Sequence, residues 1–294
     1  MKVEGIYTPV ITPFKADGAI DWDAYQAQLQ YLSAAGVHGW VIGGTTGEYY
    51  VESHEERVDL LRAAREVSAT IPIVFGTGSI NPEHSVRLAE AAAKEAASMV
   101  LIATPPYVIP TQRELAMHAL SIERAANLPV MLYNYPDRMG VNMEAEFFDR
   151  VGRSKHFCAI KESSGDINRL HLLARDYPHI QLSCGMDDQA LEFFAWGARS
   201  WTCAGSNFLP AEHIALYNAC VVDNDFAKGR RIMSAMMPLM RVLEQGGKFI
   251  QSVKYGVTLD GREAGEVRLP LRGLNKDDKR AMAQVVATLK TTIA

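Results

Sequence analysis

The sequence lacks the features that would place the protein in a membrane or on a nucleic acid. No stretch approaches the roughly 18 apolar residues that a membrane span needs. The first residues, MKVEGIYTPVITPF, contain neither the apolar block nor the cleavage site of a signal peptide. A formal net charge of −4 argues against a polyanionic partner. We therefore expect a cytoplasmic protein that binds neither nucleic acid nor membranes.

The sequence is also poor in residue patterns that hold metals, disulfides or dinucleotides. The four cysteines show no CxxC spacing, and the eight histidines form neither HxH nor HExxH. Cys158, Cys184, Cys203 and Cys220 lie in apolar strand-like or helical patterns, so we expect reduced thiols in the core. No GxGxxG follows the first predicted strand, which disfavours dinucleotide binding. We expect neither a metal ion nor a cofactor.

What the sequence does contain is an alternation of short β-rich runs with helix-like segments. Hydrophobic residues make up 48% of the 294 residues, which is enough for a large core. Eight such units favour a closed (β/α)8 TIM barrel of the α/β class over an open doubly wound sheet. The predicted strands are Gly5–Thr12, Trp40–Gly43, Ile73–Gly76, Met99–Ala103, Val130–Asn134, Phe157–Glu162, Ile180–Gly185 and Trp201–Ala204.

The segments between the strands carry the usual start and stop signals of helices. Ser53 with Glu56 matches a capping box, and Asn81-Pro82 matches a cap followed by a first turn. Gly36 and Gly197 stand where helices should end. The clearest of these predicted helices are Asp21–Ala35, Ser53–Ala69, Pro82–Ala97 and Gln112–Ala126.

Strand signals stop after about Asp223. The remaining chain predicts three helices, over Asp225–Glu244, Lys248–Thr258 and Asn275–Thr291. We therefore expect a barrel over residues 1–224 and a C-terminal helical appendage, a three-helix region, over residues 225–294.

Several polar motifs stand at the ends of predicted strands. In TIM barrels the C-terminal ends of the strands face the active site, whereas the opposite rim serves stability. Strand two ends in GGTTGE, strand four in ATPPY, strand five in YNYPDR, and strand six in Lys161. A lysine, two tyrosines and a hydroxyl-bearing glycine turn should therefore converge on one pocket.

Lys161 is the residue whose position is hardest to explain as ordinary structure. Taken alone, Lys161 could be simply the first solvated residue after an apolar strand. The motifs GTTGE and YNYP, taken alone, could be an ordinary turn and an ordinary strand end. A lysine among apolar neighbours, however, has a lowered pKa and can form a Schiff base with a ketone, which needs no cofactor. Tyr133 could move protons, and backbone N–H groups of the Thr45-Thr46-Gly47 turn suit a carboxylate. Together the motifs favour this chemistry.

At these residues the sequence resembles the dihydrodipicolinate synthase/N-acetylneuraminate lyase family of class I aldolases. The resemblance covers nearly the whole chain, through GIYTPVITPF, GTTGE, YNYP, IKESSGD, CGMDD and the helical tail. It implies that Lys161 forms the Schiff base with pyruvate or another 2-oxo acid. Tyr133 would be the proton-transfer partner, in a relay with Thr45 and with Tyr107 from a neighbouring subunit. The family's members are usually tetramers, built as dimers of dimers.

The resemblance also assigns substrate-binding residues. Thr46, with Gly47, would hold the carboxylate of the keto acid, and Arg138 matches the arginine that grips the carboxylate of aspartate semialdehyde in the synthases. Cys203, at the end of strand eight, is a further candidate for substrate binding. The adjacent Gly205-Ser206-Asn207 segment fits either the pocket or an ordinary turn, just as Arg138 fits a solvated loop.

The choice among family members is less clear from the sequence. GTTGE is the synthase form, which favours condensation of pyruvate with aspartate semialdehyde. Tyr49-Tyr50, where synthases usually have small residues, should narrow or reshape the pocket, and GGKFIQSVKYG replaces the usual NPIPVK-like segment. The alternatives are a 1-pyrroline-4-hydroxy-2-carboxylate deaminase, a 2-keto-3-deoxy sugar-acid aldolase or dehydratase, and an inactive paralogue that only binds a keto acid.

Overall fold

Eight parallel strands close on themselves in the computed structural model, which describes residues 1–293. Each strand pairs with its neighbour in chain order, and the first pairs with the last through Gly5–Ser200 and Tyr7–Thr202. The predicted (β/α)8 TIM barrel is therefore confirmed. In chain order the strands are β1 Gly5–Pro9, β2 Gly39–Ile42, β3 Ile73–Gly76, β4 Met99–Ala103, β5 Val130–Asn134, β6 Phe157–Glu162, β7 Gln181–Cys184 and β8 Ser200–Thr202.

The bounds of β3, β4, β5 and β6 are as predicted. The predicted ends of β1, β2, β7 and β8 are wrong by one to three residues. β1 stops at Pro9 and not at Thr12, because pairing with β2 is lost there. The Val10 N–H still donates to the Val41 carbonyl at 3.0 Å, but the Ile11 N–H turns to the side-chain oxygen of Asn207 at 3.3 Å. β8 ends early because the chain enters a short 3₁₀ turn, Ala204–Asn207.

The helices begin and end close to the predicted positions. The Ser53–Glu56 capping box is present, and Pro82 opens its helix behind the Asn81 cap. Gly36 and Gly197 follow helix ends with positive φ angles of 79° and 88°. The helices are α1 Trp22–Ala34, α2 His54–Val67, α3 Pro82–Lys94, α4 Gln112–Ala126, α5 Pro136–Met139, α6 Ala145–Val151, α7 Ile167–Asp176, α8 Ala190–Ala195, α9 Pro210–Tyr217, α10 Phe226–Met240, α11 Phe249–Thr258 and α12 Lys276–Ile293.

Alternation along the strands divides the core into two layers. One large cluster fills the space between barrel and helices, and includes Leu132 and Ile160. A smaller cluster fills the barrel interior, and includes Met131, Tyr133 and Ala159. Because side chains alternate along a strand, the inward positions of β5 and β6 lead towards the C-terminal rim. This places Tyr133 and Lys161 side by side, as their paired register requires.

The three predicted C-terminal helices are present as α10, α11 and α12, and the domain division at residue 224 stays a prediction. A π-helical turn, Arg241–Gln245, prolongs α10. Among residues 1–293, no helix combines the length and the apolar character needed to cross a membrane.

A buried ion pair ties α11 to the loop after β2. Lys254 Nζ lies 2.5 Å from Glu48 Oε1, and both side chains are almost fully buried. The same ammonium group donates to the Glu266 carbonyl at 2.6 Å, and the Arg268 N–H donates to Glu48 Oε2 at 3.0 Å. Glu48 adopts a left-handed conformation with φ of 65°, directly after the Thr45–Gly47 turn. The pair therefore holds the C-terminal helices against that turn.

We expect Lys254→Met to lower the free energy of unfolding by roughly 3–5 kcal/mol, because it leaves the Glu48 carboxylate buried without its cation. Denaturant unfolding measures the loss. The double variant Glu48→Gln/Lys254→Met should lose clearly less, since it removes both charges. Lys248→Met is the control, because the Lys248–Asp278 pair is partly exposed and should contribute about 1 kcal/mol or less. Equal losses for Lys248→Met and Lys254→Met would contradict the importance of the buried pair.

Candidate active site

A cavity opens at the C-terminal ends of the strands, where the sequence predicts the site. It encloses about 390 Å³ of empty space, including the part that is open to solvent. Residues from six strand ends and from the C-terminal region line it: Pro9, Thr45, Thr46, Tyr133, Tyr135, Arg138, Lys161, Gly185, Asp187, Thr202, Ala204, Glu244 and Phe249.

Lys161 stands in the wall of this cavity because β6 presents it on the inward side, two residues beyond Ala159. Its Nζ lies 4.4 Å from the centre of the Tyr133 ring on the neighbouring strand. Gly185, after β7, leaves room for the lysine stem. A Cβ atom there would lie 2.8 Å from Lys161 Cγ and 2.0 Å from Ser163 Oγ. The glycine is therefore a steric requirement of the site.

The electrostatics of Lys161 suit a nucleophilic amine. Burial lowers the pKa of its ammonium group, because the charged form is poorly solvated in the barrel mouth. The acidic groups of Asp187 and Glu244 oppose that shift. The resulting balance lets the amine lose its proton more readily than an exposed lysine, while acidic groups remain near to receive or return it.

Tyr133 is an acid–base group beside this amine. It is buried, and burial raises the pKa of its phenol to about 12. The hydroxyl groups of Thr45 and Ser163 lie near the phenol and oppose the rise. Neither hydroxyl makes a well-aligned hydrogen bond to another residue in the range 1–293. The phenol therefore stays protonated at neutral pH, with two hydroxyls beside it through which a proton could pass.

The glycine turn after β2 contributes Thr45 and Thr46 to the cavity. They open a 3₁₀ turn, Thr45–Gly47, and the first N–H groups of such a turn have no partner within it. These N–H groups can therefore bind an anion. The Gly47 N–H already donates to the Gly44 carbonyl at 3.1 Å, and Gly47 does not line the cavity. A direct role for Gly47 in substrate binding stays a prediction that its position does not favour.

The structure separates the other predicted residues. Arg138 lines the cavity, with its guanidinium carbon 5.4 Å from the centre of the Tyr135 ring. Cys203 is fully buried behind the lining, and burial raises the pKa of its thiol. Tyr107 is 89% exposed and does not line this cavity. Within a single chain, Lys161, Tyr133, Thr45, Thr46 and Arg138 come together, whereas Tyr107 and Cys203 do not join them.

The structure also places two segments whose role the sequence left open. Tyr49 and Tyr50 do not line the Lys161 cavity but a second cleft, although the charges of Tyr133 and Arg138 act on Tyr49. The Gly205-Ser206-Asn207 segment is a structural turn. Ser206 Oγ donates to the Cys203 carbonyl at 2.6 Å, and Asn207 Nδ2 donates to the Pro9 carbonyl at 2.9 Å.

Eight lining residues were not predicted from the sequence as site residues: Pro9, Tyr135, Gly185, Asp187, Thr202, Ala204, Glu244 and Phe249. Asp187 lies in the quoted CGMDD motif, directly after β7, so its strand-end position was a usable signal. Its Oδ1 accepts from the Trp201 indole at 2.9 Å, and burial raises the pKa of its carboxyl group. Glu244 and Phe249 carry no such signal, because they belong to the C-terminal helical region.

No group of three or more histidine, cysteine or acidic side chains within residues 1–293 is arranged to hold a metal ion. The reactive groups that line the cavity are one amine, two phenols, hydroxyls, two carboxyls and one guanidinium.

Comparison with known proteins agrees with this geometry. A sequence model of the Dihydrodipicolinate synthetase family matches residues 2–289. The 4-hydroxy-tetrahydrodipicolinate synthase of Exiguobacterium sibiricum is 34% identical over 91% of this chain and 92% of that protein. The enzyme of the same name from Methanocaldococcus jannaschii is 32% identical over 97% of this chain and 98% of that protein.

Solved structures give the same result. The structure of the 4-hydroxy-tetrahydrodipicolinate synthase from Methylacidiphilum fumariolicum SolV superposes with a TM-score of 0.94, at 29% identity over 99% of this chain and 97% of that one. The fold and site define a lyase of the class I aldolase type. The chain belongs to the Dihydrodipicolinate synthetase family, which confirms the resemblance drawn from the motifs.

We expect Asp187→Asn to lower the pKa of Lys161 further, because the substitution removes a negative charge that favours the ammonium form and keeps an acceptor for Trp201. The measurement is the pH dependence of Lys161 acetylation by acetic anhydride, read by peptide mass. The profile should shift towards lower pH. Asp188→Asn is the matched control, since Asp188 does not line the cavity, and it should shift the profile less. A shift towards higher pH with Asp187→Asn would show that Asp187 does not stabilise the ammonium form of Lys161.

Proposed function

We propose that this chain is a lyase that forms a Schiff base between Lys161 and pyruvate or a pyruvate-like 2-oxo acid. The observation that carries the proposal is the placement of Lys161 Nζ in the cavity, 4.4 Å from the Tyr133 ring centre, with its pKa lowered by burial. The unprotonated amine attacks the keto carbon and, after loss of water, gives an iminium ion. That ion withdraws electrons from the adjacent carbon and so allows a carbon–carbon bond to form or break there.

Tyr133 serves the proton transfers of this chemistry. Its phenol, protonated at neutral pH, donates a proton to the carbinolamine oxygen so that water can leave. Thr45 links the phenol to the rest of the relay. The N–H groups of Thr45 and Thr46 hold the carboxylate of the keto acid, which orients its carbonyl carbon towards Lys161.

The guanidinium group of Arg138 lies against the Tyr135 ring, and none of the ion pairs within residues 1–293 includes it. We assign it to the carboxylate of the second substrate. A synthase that condenses pyruvate with aspartate semialdehyde would use all of these groups, and this is the reaction we favour. It is also consistent with the names of the relatives described above.

Tyr107 fits this scheme only if a second subunit is present. It adopts a positive φ of 74° and lies on an exposed segment with Val108 and Ile109, which is an apolar patch of the kind that marks protein interfaces. We infer that two chains pack across this segment, that Tyr107 completes the partner's relay, and that paired dimers form a homotetramer. The enzyme would act in the cytoplasm.

A second candidate function has one structural observation in its favour. Phe249, from the GGKFIQSVKYG segment that departs from the synthase pattern, lines the cavity. A changed wall at this position would suit a catabolic relative, either a 1-pyrroline-4-hydroxy-2-carboxylate deaminase or a 2-keto-3-deoxy sugar-acid aldolase or dehydratase. A turnover panel with these compounds, against pyruvate plus aspartate semialdehyde, decides between the candidates.

We expect borohydride, added with pyruvate, to trap a covalent adduct on Lys161, because reduction makes the Schiff base irreversible. Intact-mass and peptide-mass analysis detect it. Lys161→Ala and Lys161→Arg should both abolish the adduct and turnover, since a guanidinium stays protonated at working pH. An adduct that survives Lys161→Ala, or no adduct in the unmodified chain, would end the Schiff-base proposal.

We expect Arg138→Ala to reduce apparent affinity for a second substrate that carries a carboxylate by roughly 10- to 150-fold, the range of a lost charge-assisted contact. Formation of the pyruvate adduct should stay nearly unchanged, because the Thr45-Thr46 turn serves that carboxylate. The measurement is steady-state kinetics beside adduct trapping. Asp137→Ala, in the adjacent exposed position, is the control. An equal loss of adduct formation and turnover would mean that Arg138 holds the keto acid itself.

A further inference from the structure

A carboxyl group from the C-terminal region lies in the wall of the Lys161 cavity, and the scheme above does not use it. Glu244 belongs to the π-helical turn Arg241–Gln245, far along the chain from the strand ends that supply Lys161 and Tyr133. It is partly buried. Within residues 1–293, none of the ion pairs of the C-terminal region includes it. A cavity carboxyl group without a cation is open to a ligand.

Glu244 faces the reacting groups and not a remote part of the cavity. Its charge acts on the Lys161 amine and on the phenols of Tyr133 and Tyr135. The turn that carries it packs against the Asp187–Gln189 turn that follows β7. The two carboxyl groups, Asp187 and Glu244, therefore form one acidic wall beside the lysine.

The two acids of this wall differ in how firmly they are held. Asp187 is almost fully buried, and the Trp201 indole binds its Oδ1. Glu244 is less buried and has the longer side chain. Burial and the carboxylates of Asp187 and Asp188 raise the pKa of Glu244, so the wall does not easily hold a second full negative charge. Glu244 is thus the member of the wall that can adjust to a substrate.

We propose that Glu244 is a specificity residue that hydrogen-bonds to an amino or hydroxyl group on the carbon chain of the second substrate and keeps carboxylates away from that position. This inference rests on the proposed function, in which the first substrate is held on Lys161. The Asp187 carboxylate would repel a substrate carboxylate at this position. Glu244, whose pKa is raised, keeps its proton there until a substrate ammonium group favours its carboxylate form. Arg138, the one cationic side chain besides Lys161 in the described lining, receives that carboxylate instead.

The ligand chemistry that follows is a short chain with a polar hydrogen-donating substituent. Aspartate semialdehyde offers an ammonium group and a carboxylate. Aldehydes derived from sugar acids offer hydroxyl groups. An ammonium group and a hydroxyl group can each donate a hydrogen bond to Glu244, but only the ammonium group is charged. A neutral amide at position 244 could still accept a hydrogen bond from a hydroxyl group, whereas it could not balance an ammonium charge.

The test compares Glu244→Ala and Glu244→Gln in the full chain, with pyruvate as the first substrate. Two matched pairs of acceptor aldehydes are used: aspartate semialdehyde against succinate semialdehyde, and glyceraldehyde against propionaldehyde. The second member of each pair lacks the amino or hydroxyl groups. Gln245→Ala, the exposed neighbour on the same turn, is the control variant, and thermal unfolding verifies that each variant is folded.

We expect Glu244→Ala to lower kcat/KM by about 10- to 150-fold for the polar member of the pair that the enzyme uses. The loss for its unsubstituted counterpart, and for borohydride trapping of pyruvate, should be less than about 3-fold, because neither engages Glu244. Glu244→Gln should restore kcat/KM if the recognised group is a hydroxyl, and should not restore it if the group is an ammonium.

Two results would overturn the inference in different ways. An equal loss for both members of a pair, or no loss for either, would show that Glu244 does not read the substituent, while intact trapping of pyruvate leaves the Schiff-base function standing. A chain that forms no pyruvate adduct on Lys161 before any substitution would overturn the proposed function and, with it, this inference.

Discussion

The closure of the parallel barrel is the constraint on which the rest of the structure depends. Because β1 pairs with β8, all eight strands end at one rim, and every inward side chain at that rim faces the same small space. The β5–β6 register then sets Tyr133 beside Lys161 without any other contact having to hold them together. Below them, packed apolar side chains such as Met131 and Ala159 close the barrel interior to water. The cavity lies above this packed layer, at the C-terminal rim.

That enclosure has an electrostatic consequence. A lysine at the rim loses solvation, so its ammonium form is disfavoured and the amine becomes available for reaction. The same burial disfavours the charged form of the nearby acids, and it raises the pKa of Asp187. The site thus combines groups whose proton affinities have moved towards one another, which is the condition for proton exchange near neutral pH. Elsewhere the fold handles buried charge by direct pairing, as Lys254 does with Glu48.

The C-terminal helices complete the site and do more than cover the barrel. They supply Glu244 and Phe249 to the cavity and hold the Thr45–Gly47 turn through the Lys254–Glu48 pair. The amine of Lys161 and the phenol of Tyr133 come from the barrel. The C-terminal region contains the segment GGKFIQSVKYG, which departs from the synthase pattern. Under the proposed function, the barrel would set the reaction type and the C-terminal region would contribute to the choice of substrate.

The sequence by itself determined the number and order of the strands and the capped helix starts, because these depend on local periodicity and capping chemistry. It also placed Lys161 and Tyr133 on one rim, since strand ends of a parallel barrel converge whatever the helices do. The fold, and not the sequence pattern, shows that Tyr49 lines a second cleft, that Tyr107 lies outside the cavity of its own chain, and that Glu244 lines that cavity. Those positions depend on loop conformation and on the packing of distant helices, neither of which leaves a local pattern in the sequence.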